Sequence, residues 1–224
     1  MIAIVDYQMG NLRSVQKAFE HMGFEAVITD APEVMMDAAG LVLPGVGAFG
    51  DCYRELNSRG LVSPLLEWVG SGRPFLGICL GLQILFRSSE ESSGTPGLKV
   101  IPGAVKRFTN GSLKVPHMGW NQVRHPKGSG GDHALAECPL FEGIPDGAYF
   151  YFVHSYYVVP EEPDVTCCVT DYGVTFTSAI WRDNVYAVQF HPEKSQDAGL
   201  RVIENFGRLA LRGSRHVGTG ARGK

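Results

Sequence analysis

Apolar residues along this chain recur in two periods, and the switching between them outlines an architecture. Ile2-Ala3-Ile4-Val5 is an unbroken apolar run of the kind that forms a buried strand, and the polar, Gly-bearing turn Asp6-Tyr7-Gln8-Met9-Gly10-Asn11 follows it. Leu12, Val15, Ala18, Phe19 and Met22 then repeat at helical spacing, and Gly23 closes that helix. A second strand is predicted over Phe24 to Thr29, with a short helical piece after Asp30-Ala31-Pro32-Glu33. A third, Leu41-Val42-Leu43, runs into Pro44-Gly45-Val46-Gly47-Ala48-Phe49-Gly50. Leu61 to Val69 read as a helix before a fourth apolar run, Phe75 to Ile78, beyond which Leu82, Leu85 and Phe86 recur at helical spacing. Strands alternating with helices predict a parallel sheet, whose reactive groups gather at the carboxyl ends of its strands.

The pattern then changes. From about Ser88 to Gly97 the chain is rich in Ser, Glu and Gly and reads as a surface loop. Short strands are predicted at Val105 to Phe108, at Val115 and over Trp120 to Val123, with a flexible connection at Gly128-Ser129-Gly130-Gly131-Asp132. Further strands at Ala148–Tyr157, Val165–Thr170, Thr175–Trp181 and Val185–Gln189 fit a mixed or antiparallel section joined to the parallel sheet. Leu200, Ile203, Phe206, Leu209 and Ala210 mark one face of a last helix. The expected fold class is therefore α/β, a mostly parallel central sheet flanked by helices with an additional mixed section. One domain is expected over residues 1–211, and residues 212–224, which lack apolar anchors, are expected to be a disordered tail.

Composition narrows the function classes. With 224 residues, 44% of them hydrophobic, the chain can bury one good core and suits a single large domain. No run approaches the length of a membrane span, and residues 1–20 lack the basic start and continuous apolar block of a signal peptide, so a cytoplasmic protein is expected. A net charge of −3 speaks against nucleic acid as the main partner. Cys52, Cys79, Cys138, Cys167 and Cys168 are odd in number and contain no C-x-x-C pair, which suggests neither a disulfide framework nor a zinc site. Reduced thiols are expected, with no metal and no cofactor.

Chemistry enters where the fourth apolar run meets a helical one. Cys79 falls at that junction in the frame Gly77-x-Cys79-x-Gly81, which copies the G-x-S-x-G elbow of hydrolases with sulfur in place of hydroxyl. Glycines there let strand and helix approach, and free backbone N–H groups favour a thiolate and later an oxyanion. A cysteine in an apolar run is also a common core residue, and taken alone the frame does not decide between the two.

A second strand end supplies the partner. In Tyr186-Ala187-Val188-Gln189-Phe190-His191-Pro192-Glu193-Lys194 an apolar strand delivers His191 and Glu193, two residues apart and so on one side of extended backbone. Glu193 can accept from the imidazole and fix its tautomer, leaving the other ring nitrogen to face a thiol. A lone histidine near a strand end is more often a surface or core residue, but two such strand-end motifs together outline a Cys-His-Glu triad. His154, among strand aromatics and without a carboxylate two residues on, reads as structural or interfacial.

On these two segments the chain resembles the class I, triad-type glutamine amidotransferases. Four more narrow the resemblance to the branch serving histidine biosynthesis: Asp6-Tyr7-x-Met9-Gly10-Asn11-Leu12, Leu43-Pro44-Gly45-Val46-Gly47-Ala48-Phe49, Pro116-His117-Met118-Gly119-Trp120-Asn121 and Tyr151-Phe152-Val153-His154-Ser155-Tyr156. The resemblance spans Ile2 to about Leu211; Gln8 stands where a small residue such as Gly is expected, and the tail has no counterpart. It implies a flavodoxin-like amidotransferase domain with Cys79, His191 and Glu193 as the catalytic triad hydrolysing glutamine. It implies an oxyanion hole from Leu80 and the Gly45, Val46, Gly47 loop, and glutamine-binding positions at Gln83, Ser155 and Tyr156. The partner it implies is a (βα)8-barrel cyclase subunit in a heterodimer, with Asn11, Trp120, Tyr151 and Lys194 at the interface. A γ-glutamyl hydrolase or cysteine peptidase would carry the same triad, and a non-catalytic α/β binding protein would carry Cys79 as core.

Overall fold

The computed structural model describes residues 1–109, 114–126 and 138–217. Five strands form the parallel half of a ten-stranded sheet: β1 (Ile2–Val5), β2 (Ala26–Thr29), β3 (Gly40–Gly45), β4 (Phe75–Cys79) and β12 (Val185–Val188), in spatial order β2-β1-β3-β4-β12. Helices cover both faces, so successive residues of a strand enter different cores. Ile2 and Ile4 join one apolar cluster and Ala3 and Val5 the other; Ile78 and Phe75 divide the same way. This is why these strands read as unbroken apolar runs and not as alternating ones. On one face lie α1 (Leu12–His21) and the long α6 (Gln196–Val217); the other carries α2 (Pro32–Asp37), α3 (Phe49–Ser58), α4 (Val62–Gly70) and α5 (Leu80–Gln83).

Beyond β12 the sheet turns antiparallel through β11 (Thr175–Arg182), β9 (Tyr156–Pro160) and β6 (Gly103–Arg107), with β5 (Ser88–Ser89) parallel at the edge and β10 (Thr166–Asp171) also paired to β11. A separate two-stranded ribbon, β7 (His117–Val123) with β8 (Ala148–His154), lies over the first core and is tied to β10 by the Arg124–Val169 bridge. The mixed α/β class expected from the sequence is the fold observed.

Four local expectations need correction. The helix after Cys79 is a single turn ending at Gln83; Leu85 and Phe86 are buried, but in the turn that follows it. The strand predicted over Ala148–Tyr157 is two strands, because β8 pairs with β7 and β9 with β6 and β11, so the chain changes sheets at Ser155. The Ser/Glu/Gly-rich loop contains β5 and also caps α3, a helix that the periodicity does not suggest: Phe49 N–H donates to Glu91 Oε2 at 2.7 Å and Gly50 N–H to Ser92 Oγ at 3.0 Å. Those bonds satisfy donors that an α-helix leaves free at its start. Finally, α6 continues to Val217, past the expected tail boundary, since extending an existing helix costs far less than nucleating one. The Gly128–Asp132 connection and residues 218–224 lie outside the described residues.

Candidate active site

Residues distant in sequence meet at the carboxyl end of the parallel strands. Cys79 ends β4 with φ +55°, a conformation that strains an L-residue and re-aims the chain directly into α5. The flanking glycines make that bend possible by close approach. A Cβ on Gly81 would lie 1.8 Å from the Leu43 carbonyl oxygen, and one on Gly77 would lie 2.6 Å from the Gly81 carbonyl oxygen. β3 runs alongside with Gly45 in register with Cys79, bringing the Val46-Gly47 turn to the same rim.

β12 lies next to β4 in parallel, which carries its carboxyl end to the same rim as Cys79. Pro192 to Lys194 form a short 3₁₀ turn, yet His191 Nδ1 and Glu193 Oε1 are 2.8 Å apart with both side chains buried, at 4% and 2% exposure. An ionised Glu193 can only accept, so Nδ1 keeps its proton and Nε2 is the nitrogen that can gain and lose one. Among the described residues Nε2 is buried without a well-formed hydrogen bond, and it is the nitrogen left for the Cys79 sulfur. Burial disfavours the imidazolium, but the Cys79 sulfur and the Glu193 carboxylate outweigh it and raise the His191 pKa to about 10. The site therefore sustains an imidazolium at neutral pH.

A cavity of about 400 Å³ opens over Cys79, lined by Val46, Gly47, Leu80, Gln83, Ser155 and Tyr156 among others, a size that suits a small molecule. Of the expected oxyanion and glutamine-binding residues, all line it except Gly45, which stands one residue behind the rim; His191 and Glu193 are not part of its lining. Glu91, Pro116, Val153 and His154 also line it, and the sequence pattern gives Glu91 and Pro116 no part in the site.

A continuous hydrogen-bond chain runs from the sulfur to the β7–β8 ribbon. Gln189 Nε2 donates to Cys79 Sγ at 3.6 Å, Gln83 Nε2 donates to Gln189 Oε1 at 3.1 Å and to the Tyr156 carbonyl at 3.0 Å. That carbonyl also accepts from His154 Nδ1 at 2.8 Å. His154 Nε2 then accepts from His117 Nδ1 at 2.9 Å, and His117 Nε2 from Asn121 Nδ2 at 3.2 Å. Because a carbonyl can only accept, it fixes both tautomers and the amide orientations along the chain. Burial holds these two imidazoles neutral, pushing His117 down to about 4 and His154 to about 3. No signal in the sequence marks Gln189 or His117 apart from the motifs containing them.

Of the expected interface residues, three cluster. Trp120 and Tyr151, opposite each other on β7 and β8, make an edge contact at 6.2 Å, and Lys194 Nζ lies 5.9 Å from the Tyr151 ring centre. Tyr151 is also tied to the triad segment, its carbonyl accepting from His191 N–H at 2.9 Å. Asn11 instead precedes α1 and lines a separate depression with Asp6 and Arg13.

The family model of class-I glutamine amidotransferases matches residues 3–209. The chain is 55% identical over 213 residues to the imidazole glycerol phosphate synthase subunit HisH of Syntrophotalea carbinolica, covering 92% of this chain and 99% of that protein. It is also 55% identical over 215 residues to the HisH subunit of Thermococcus kodakarensis, covering 93% of this chain and all (100%) of that one. A solved glutamine amidotransferase shares the fold at a TM-score of 0.68 and 20% identity, covering 94% of this chain and 100% of the other. The PurLQS structure from Thermotoga maritima does so at 0.66 and 17% identity, covering 94% of this chain and 97% of the other. The chain thus belongs to the class I glutamine amidotransferases, in the branch of the imidazole glycerol phosphate synthase HisH subunits.

Proposed function

We propose that this protein is the glutaminase subunit of an imidazole glycerol phosphate synthase, releasing ammonia from glutamine for a cyclase partner in histidine biosynthesis. The observation that carries the chemistry is the buried 2.8 Å His191–Glu193 pair at the rim where Cys79 turns out of its strand beneath an open cavity. On this reading the Cys79 thiolate attacks the side-chain carbonyl of glutamine, forming a C–S bond and an oxyanion. The Leu80 N–H and a backbone N–H of the Gly45-Val46-Gly47 loop receive that oxyanion. His191 gives its proton to the departing nitrogen, the C–N bond breaks, and ammonia leaves behind a thioester. Water, deprotonated by His191, then attacks the thioester and expels glutamate and the thiolate, while Glu193 stabilises each imidazolium. Gln83, Ser155 and Tyr156 hold the amino-acid end of the substrate.

Ammonia is a nucleophile only while unprotonated, which favours delivery across an interface that excludes water. The β7–β8 ribbon supports such an interface. Its outward face carries Met118, Trp120 and Tyr149, exposed at 62%, 46% and 56%, where a ribbon facing solvent would normally present polar residues. Val153, on the same face opposite Met118, lines the cavity, so a docked partner would sit at its mouth. The partner proposed is a (βα)8-barrel cyclase subunit in a heterodimer, with Trp120, Tyr151, Lys194 and Asn11 at the contact, in the cytoplasm. Among the described residues no helix is long and apolar enough to cross a membrane.

The test is glutamate release from glutamine by the full chain, alone and with the cyclase and its nucleotide ligand. Little turnover alone, strong stimulation in the complex and its loss in Cys79→Ser are expected. High basal hydrolysis of γ-glutamyl peptides without any partner overturns the assignment in favour of a stand-alone hydrolase.

A further inference from the structure

Gln189 lies between the strand and His191, has no exposure at all (0%), and no step above uses it. Its carboxamide reaches the reacting atom, with Nε2 3.6 Å from Cys79 Sγ. The orientation of that amide is determined by its neighbours. Both protons of Gln83 Nε2 are spent, one on the Tyr156 carbonyl and one on Gln189 Oε1, so the Gln189 oxygen faces Gln83 and its N–H group faces the sulfur.

We propose that Gln189 is a fourth catalytic residue, whose carboxamide N–H stabilises the Cys79 thiolate by a hydrogen bond; the proposal rests on the glutaminase reading for its kinetic consequence. A neutral thiol is a weak acceptor and a thiolate a strong one, so this bond gains strength when the sulfur ionises. The same preference acts twice in the reaction. It favours the thiolate before attack, and it favours the thiolate again as leaving group when water cleaves the thioester. Glu193 cannot serve this purpose, since it acts on the far nitrogen of His191. Gln189 also links the nucleophile to Gln83, so a substrate that displaces Gln83 bears on the sulfur through a single intervening amide.

The test reads alkylation of Cys79 by iodoacetamide as a function of pH, site-resolved by mass spectrometry, on the full chain and two variants. Gln189→Met keeps the volume and removes the donor; Gln189→Glu keeps the shape and sets a carboxylate against the sulfur. Both are expected to move the alkylation profile to higher pH, Gln189→Glu further. In the partner complex kcat should fall by about ten- to hundredfold, the usual worth of a hydrogen bond to a charged group, with KM for glutamine nearly unchanged. A profile that stays in place in both variants overturns the proposal, as does a raised KM at unchanged kcat, which would make Gln189 only a support for Gln83. Should either variant fail to fold, the wild-type chain decides: the Gln189 side-chain amide protons should shift downfield over the pH range in which Cys79 becomes alkylatable, and a flat trace overturns the idea. If the wild-type complex releases no glutamate, the glutaminase reading fails, while the alkylation profile still tests the bond.

Discussion

His191 and His154 are both buried, lie within electrostatic reach of each other, and are driven in opposite directions, the first up to about 10 and the second down to about 3. Burial penalises the imidazolium in each. What differs is the company each ring keeps. His191 donates to a carboxylate at 2.8 Å and faces a sulfur, two groups that reward a positive ring. His154 donates to a carbonyl and accepts from His117, so protonation would set two N–H groups against each other. One imidazole is prepared to gain and lose a proton; the other is held in a single tautomer between the cavity and the β7–β8 ribbon. The partners set against each ring, the Cys79 sulfur and then the Glu193 carboxylate for His191 and only neutral groups for His154, and not depth, separate a proton carrier from a structural strut.

That contrast is broken most severely by removing the proton carrier. His191→Asn should lower glutaminase kcat in the complex by about 10⁴-fold or more. An intact rate would mean that another group handles the proton. Glu193→Gln sharpens the point because it preserves shape. An amide can present its N–H to Nδ1 and so enforce the wrong tautomer, and a loss of about 10²- to 10⁴-fold in kcat is expected, with the His191 midpoint by NMR falling. If kcat survives, Glu193 does not set the tautomer.

The converse experiment is on the strut. His154→Leu leaves the Tyr156 carbonyl one bond poorer and strands the His117 N–H, and should cost about 1–3 kcal/mol in denaturant unfolding. Replacing both histidines with leucine should cost less than the two single losses combined, because the second change removes a group the first had already stranded. Strictly additive losses would show that the bond at 2.9 Å between the rings carries no energy.

Which of these groups the sequence can reveal follows from how local their geometry is. Cys79, His191 and Glu193 lie in short segments at strand ends, so their place at one rim is legible, while the 3₁₀ turn across which His191 and Glu193 meet is not what extended backbone predicts. The parallel half of the sheet is legible for the same reason: strands covered on both faces read as apolar runs. Gln8, a departure from the expected Gly, does adopt φ +65°, the left-handed conformation that glycine accepts freely. Gln189 and His117 are not legible, because their roles depend on pairings 110 and 37 residues away. Helix α3 escapes a sequence reading since its start is capped by Glu91 and Ser92, 42 residues on, and not by its own preceding residue. The sheet change at Ser155 is hidden inside a continuous aromatic run, where composition is blind to which neighbour each strand takes.

The effect that bears most directly on the comparison is the pH dependence of stability. For His117 and His154 the folded-state values lie below the ordinary 6.5, so the unfolded chain binds the extra protons. Their contribution is complete above pH 6.5 and is lost as pH falls toward 4 and then 3, at up to about 1.4 kcal/mol per pH unit for each ring. His191 has the reverse sign: its folded-state value is raised, so its contribution is complete below pH 6.5 and is lost as pH rises through about 10. Denaturant unfolding from pH 4 to 10 should therefore weaken at both ends. The His117→Leu/His154→Leu double variant should flatten the acid limb alone and His191→Asn the alkaline limb alone. An acid limb that survives the double variant would mean that groups other than the neutral strut govern acid stability. In that case the burial of the two neutral rings would carry little of the chain's response to acid, and the contrast between them would show only at the alkaline limb.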